Sequence, residues 1–190
     1  MALHDPTVRL TYEDYVLIPE DGRRHEILDG EHYVSAAPFV PHQDLVLWLG
    51  AEIMFFLRSN KLGKVYISPL DVLLSPHDIV QPDVIFVSKE NPASVTRNNI
   101  QGALDLVVEI LSDSTRKIDE GIKLRRYERF GVREYWLIDP RSESVRIYRL
   151  TESGFHLAAR LAKGGVLSTP LLPGLAISVA DMFDYSSPTT

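Results

Sequence analysis

The chain has 190 residues, 45% hydrophobic and 24% charged, with a formal net charge of −6. That is ordinary globular composition, with enough length for one domain and a substantial core. It contains no cysteine, which excludes disulfides, thiolate zinc sites and cysteine nucleophiles. The acidic balance weighs against avid, sequence-independent nucleic-acid binding, which needs many Lys and Arg contacts to phosphate.

The opening MALHDPTVRLTYEDY has no basic region followed by an apolar stretch, so no signal peptide is expected. The run LVLWLGAEIMFFL is interrupted by Glu52 and is short for a bilayer span. A cytoplasmic protein is expected. Residues 1–190 read as one domain, with a core from about 11 to 183 and a frayed tail at 184–190.

Thr11 is a suitable N-cap for a short helix over TYEDYVLIPED. HEIL and EHYVSA form a predicted hairpin about Asp29-Gly30, because Asp-Gly suits a tight primed turn. The first long helix is predicted over Pro41–Ser59, with Leu45, Leu49, Ile53 and Phe56 at helical spacing. GKVYISPLDVLL and IVQPDVIFVS read as two strands about the turn-like SPHD.

SKENPASVTRNNIQGA is polar and reads as a loop, with Asn91 to Gln101 placed to close over a ligand. LDLVVEIL has the nearly continuous apolar character of a central strand covered on both faces. SDSTRKIDEGIKLRRYERFG is the second helix, with Gly131 as its C-terminal cap. REYWLIDP and ESVRIYRL pair across Pro140-Arg141-Ser142; FHLAARL, GGVLSTPLLPGLAISV and DMF add short strands and a last turn. The order describes a mixed α/β fold with one sheet sandwiched by helices. GxGxxG, GxxxxGK[ST], GxSxG and HExxH are all absent, which disfavours nucleotide-cofactor and common hydrolase readings.

Two carboxylates stand in apolar strands. Asp83 opens PDVIFV and shares a face with Ile85 and Val87; Glu109 shares a face with Val107 and Leu111. Burying either charge is costly without compensation, so each needs an arginine partner, a capped loop or a metal. At about 100° per residue, Lys123, Leu124, Tyr127 and Phe130 fall in one arc, so Lys123 points inward. Its ammonium either snorkels with Asp119 as an i,i+4 partner or serves a phosphate-handling site. From Arg116 to Glu134 lie seven basic and four acidic residues, either a solvated helix face or a phosphate-facing one.

The residues HEILDGE, QPDVIFV, VVEILSDSTRKIDEGIKLRRYERFGVREYWLIDP and PGLAISV resemble the Uma family, grouped with restriction endonucleases and expanded in cyanobacteria. That family lies within the PD-(D/E)xK nuclease superfamily. The resemblance runs from about Thr11 to Phe183. It implies a restriction-endonuclease-like core: a central mixed β-sheet flanked by helices, with an N-terminal hairpin and extra C-terminal strands.

It also implies a Mg²⁺-dependent (or Mn²⁺-dependent) endonuclease hydrolysing phosphodiester bonds of DNA. Asp83 matches the motif aspartate and Glu109 the motif acid, the two metal ligands. Leu111 stands where the motif lysine is expected, and Lys123 is its counterpart on the helix. Glu26 matches an acid ahead of the core, a further catalytic candidate that helps bind or orient metal; the alternative is pairing with Arg23 or Arg24. His42, Arg116, Arg125, Arg126 and Arg129 are candidates for contacting substrate. Asp71 is either a supporting carboxylate or a structural hydrogen-bond acceptor, and Asp139 lies at a strand end. A homodimer is expected by analogy with nucleases that cut two strands. The competing readings are a catalytically inactive nucleic-acid-binding or assembly module, and an interaction domain using Ile118 and Ile122 as a dimer contact.

Overall fold

A computed structural model describes residues 8–91 and 95–185. Asp14 accepts both the backbone N–H (2.8 Å) and the hydroxyl (3.0 Å) of Thr11, fixing the start of α1 (Tyr12–Tyr15). The predicted hairpin forms from β1 (Arg24–Leu28) and β2 (Glu31–Ser35). Asp29 and Gly30 take φ values of 56° and 83°, as a tight primed turn requires. The long helix α2 (Val40–Asn60) buries Leu45, Leu49, Ile53 and Leu57.

The two runs read as single strands each divide. One becomes β3 (Gly63–Ile67) and β4 (Val72–Ser75); the other becomes β5 (Asp78–Val80) and β6 (Val84–Ser88). The breaks fall beside Pro69 and Pro82, which have no N–H to continue a ladder. The loop that follows holds β7 (Ile100–Gln101), and LDLVVEIL forms β8 (Leu106–Ile110). Pro92, Ala93 and Ser94 of that loop, and the tail Ser186–Thr190, lie outside the described residues.

The predicted second helix appears as a π-helical stretch, Ile118–Lys123, running into α3 (Leu124–Arg129). Gly131, at φ 78°, ends it, with the Val132 N–H bonded to the Tyr127 carbonyl at 2.9 Å. Then follow β9 (Glu134–Asp139), β10 (Ser144–Thr151), β11 (Gly154–Ala162), β12 (Val166–Leu167), β13 (Ile177–Ser178) and α4 (Val179–Tyr185).

The expectation of one sheet is corrected to two main sheets and a ribbon. A six-stranded sheet has the order β11-β10-β9-β8-β6-β3, a five-stranded sheet the order β2-β1-β5-β4-β7, and β12 pairs with β13. The larger sheet is mixed: β8 runs parallel to β9 and antiparallel to β6. Its Leu106, Val108 and Ile110 pack with α2 and α4 in one core; Val107, Tyr135 and Leu137 pack with Leu28, Val72 and Val80 of the smaller sheet in a second. β8 is thus covered on both faces, as its continuous apolar run predicts. Ile118 and Ile122 pack against the second core and do not present the free dimer face considered above. Among the described residues no helix is long and apolar enough to cross a membrane.

Candidate active site

Asp83 immediately precedes β6, one step beyond the Val84–Val108 pair, which sets it opposite Glu109 on β8. Each is 1% exposed, in the space between the two sheets. Asp83 is heavily compensated. Its Oδ2 accepts the Ile110 N–H at 2.8 Å and lies 3.2 Å from His42 Nε2; its Oδ1 lies 2.5 Å from Arg24 Nη2. Burial pushes the Asp83 carboxyl up, but the His42 hydrogen bond, the Arg24 charge and the Ile110 N–H together hold it below the usual range.

Lys123, 1% exposed, occupies the other half. Its Nζ lies 2.8 Å from Glu26 Oε1, 3.0 Å from Glu109 Oε1 and 3.4 Å from Asp119 Oδ1. Tyr127 donates its hydroxyl to the same Glu109 oxygen at 2.8 Å, and the Gln81 N–H is donated to Glu26 Oε1 at 2.8 Å. Asp119 and Lys123 are the buried residues of the π-helical stretch, where i→i+5 bonding replaces the α-helical pattern; such departures recur at functional sites.

Four buried carboxylates (Glu26, Asp83, Glu109 and Asp119) therefore face two permanent cations, Arg24 and Lys123. The imbalance sets the protonation. Burial lowers Lys123, but Glu109, Glu26 and Asp119 outweigh it and raise the ammonium's pKa. For Glu109, burial and the like charges of Asp119, Asp83 and Glu26 overcome the pull of Lys123 and push it up to about 8. Asp119 is also raised, chiefly by burial.

The Uma2 family profile, described as "putative restriction endonuclease", matches residues 12–180. The chain belongs to the Uma2 family. It is accordingly a restriction-endonuclease-like nuclease by family. The crystal structure of a "putative nuclease belonging to DUF820" from Anabaena variabilis superposes with a TM-score of 0.77 at 19% identity, covering 94% of this chain and 99% of that one. That likeness establishes a shared fold. No curated protein matches the chain.

The remaining predicted residues of this Uma2 chain divide clearly. His42, in the first turn of α2, contacts Asp83, and its Nδ1 is buried with no hydrogen-bond partner among the described residues. Arg116 differs from its expected role: its guanidinium forks onto Asp139 through two hydrogen bonds of 2.8 Å, which holds the Asp139 carboxyl at about 2. Arg126 is likewise committed, bridging Asp29 and Asp78. Arg125 is exposed and Arg129 lies against the Phe130 ring; both stand away from the carboxylates, along a cavity with Tyr33 and Glu31. Asp71 accepts hydrogen bonds from Tyr15 and Gln81, each at 2.8 Å.

Sequence reasoning missed Arg24 as the counter-ion of Asp83, Tyr127 as a donor to Glu109 and Gln81 as the backbone donor to Glu26. The signal for Arg24 was its i,i+2 spacing from Glu26 on β1, which puts both on one face. For Tyr127 it was an aromatic with a polar tip one turn beyond Lys123.

Proposed function

We propose that this Uma2 chain is a divalent-metal-dependent endonuclease hydrolysing phosphodiester bonds of DNA, with Asp83 and Glu109 as the metal-binding carboxylates and Lys123 beside them. The observation that carries this reading is the excess of buried carboxylate over cation between neighbouring strands. Carboxylates are the donors that Mg²⁺ and Mn²⁺ prefer, and the excess negative charge is what such an ion offsets. Among the described residues no three His, Asp or Glu side chains are gathered as a metal cage. Asp83 and Glu109 are the two carboxylates that would hold such an ion.

Asp83 and Glu109 would hold the divalent ion, which would supply Lewis acidity toward water and a phosphoryl oxygen. Arg24, His42 and the Ile110 N–H hold Asp83 in one orientation, and Tyr127 fixes Glu109. Lys123 supplies the ammonium that orients attacking water or offsets charge developing on the phosphate. Glu26 anchors that ammonium, acting as a positioning residue rather than a metal ligand. With Arg116 and Arg126 committed to acids and His42 to Asp83, Arg125 and Arg129 are left to meet substrate. The whole chain is read as one cytoplasmic domain, with a homodimer supplying one site per strand.

The test is cleavage of plasmid DNA with Mg²⁺, alongside Mn²⁺ titration by calorimetry. Asp83→Asn and Glu109→Gln should abolish cleavage and weaken Mn²⁺ binding, with unchanged circular dichroism. Full cleavage by either variant would overturn the assignment. Retained DNA binding with no Mn²⁺ affinity in the wild type would favour the inactive binding module.

A further inference from the structure

Of the 20 Lys and Arg side chains, eleven form ion pairs with acids and nine form none among the described residues. Four of those nine, Arg58, Lys61, Lys64 and Lys89, line one cavity of about 620 Å³, and among the described residues no acidic one lines it. In a chain of net charge −6, four unpaired cations around one hollow repel one another and attract an anion. Local structure explains only part of the arrangement. Arg58 and Lys61 lie at the end of α2, where cations complement the helix dipole. Lys64 lies on the edge strand β3, where a charge discourages edge pairing. Neither reason applies to Lys89, whose N–H is tied to the Leu62 carbonyl at 2.9 Å and so brought to the same hollow. The floor is Tyr66 and the buried Val87.

The cavity and the carboxylates lie at opposite ends of β6, with the buried Ile85 between them. Lys64 pairs with Val87 and Tyr66 with Ile85 across β3 and β6, and alternation puts Val87, Ile85 and Asp83 on one face. From Asp83 to Val87 the strand runs about 13 Å at about 3.3 Å per residue. We infer that this cavity is a second contact for the phosphodiester backbone of the substrate, about 13 Å along β6 from the carboxylates of Asp83 and Glu109. The inference rests on the reading of those carboxylates as the cleavage site.

The experiment measures binding of a labelled 20-base-pair duplex by fluorescence anisotropy in EDTA, from 50 to 200 mM salt. Each phosphate contact contributes about 0.9 to the slope of log affinity against log salt. Lys64→Ala/Lys89→Ala should therefore flatten that slope by about 1.8, with Mn²⁺ affinity unchanged by calorimetry and the fold intact by circular dichroism. An unchanged slope overturns the inference while leaving the cleavage site to stand on Asp83→Asn. A variant that loses affinity for ATP but not for the duplex also overturns it, since the cavity then takes a free nucleotide. A flattened slope in a protein that binds no Mn²⁺ supports the cavity as a DNA contact and rejects the cleavage reading.

Discussion

Lys123 Nζ lies 2.8 Å from Glu26 on the smaller sheet and 3.0 Å from Glu109 on the larger one, so one ammonium ties the two sheets together. Removing it leaves Glu26, Glu109 and Asp119 without their shared cation. Breaking a buried pair by deleting one partner costs about 3–5 kcal/mol, and Lys123→Ala should fall in that range by urea denaturation at pH 7. Glu26→Gln should cost less, because Lys123 keeps Glu109 and Asp119 and an amide oxygen still accepts the Gln81 N–H. A Lys123→Ala protein as stable as wild type would show that the lysine is not the counter-ion of the cluster.

Glu109 makes stability fall with rising pH. Its pKa is raised from 4.5 to about 8 in the folded state, so the native protein holds a proton that the unfolded chain has lost. That contribution is complete below about pH 4.5 and is lost as pH rises through about 8, with a slope of up to about 1.4 kcal/mol per pH unit. Unfolding free energies measured from pH 5 to 8 should show this component in wild type and lose it in Glu109→Gln. Calorimetry of Mn²⁺ binding in buffers of different ionisation enthalpy should register proton release below about pH 8; its absence would place the proton elsewhere.

Asp83 works in the opposite direction. Its folded pKa lies below 3.8, so its contribution is present above pH 3.8 and disappears as pH falls through the lowered folded value. Arg24→Gln removes a charge 2.5 Å from Oδ1. It should cost about 3 kcal/mol at pH 7 and shift the acid unfolding midpoint upward. An unmoved midpoint would mean that His42 and the Ile110 N–H suffice.

Two glycines near these elements should respond in opposite ways. A Cβ on Gly63 would stand 2.1 Å from the Val87 carbonyl oxygen, so Gly63→Ala must separate β3 from β6 and should destabilise by about 3 kcal/mol. A Cβ on Gly121, within the π-helical stretch, meets nothing within 4 Å. Gly121→Ala should be tolerated and stabilise by about 0.5–1 kcal/mol. Thermal denaturation of the two variants side by side checks both.

Alternation within PDVIFV and LDLVVEIL made the shared face of Asp83 and Glu109 legible, and helical phase turned Lys123 inward toward them. The division of each long run between two sheets was not legible. A period of two reports which face a residue takes, but not which neighbouring strand it bonds, and the breaks at Pro69 and Pro82 decide that. Arg24 escaped notice for a related reason: its partner Asp83 is 59 residues away, and an arginine on a hairpin reads as solvated. Arg116 and Arg126 stood in a basic run that looked free, yet Asp139, Asp29 and Asp78 hold them.

The contact of Glu26 with Lys123 also bears on how the protein is made. Synthesis proceeds from the N-terminus, so the hairpin bearing Glu26 leaves the ribosome well before the helix bearing Lys123. Asp83 and Glu109 follow, and for that interval three carboxylates lack the lysine that later joins them. The two sheets gain their common counter-ion only when the second helix arrives, which makes assembly of the buried carboxylate cluster a late event in the birth of the chain.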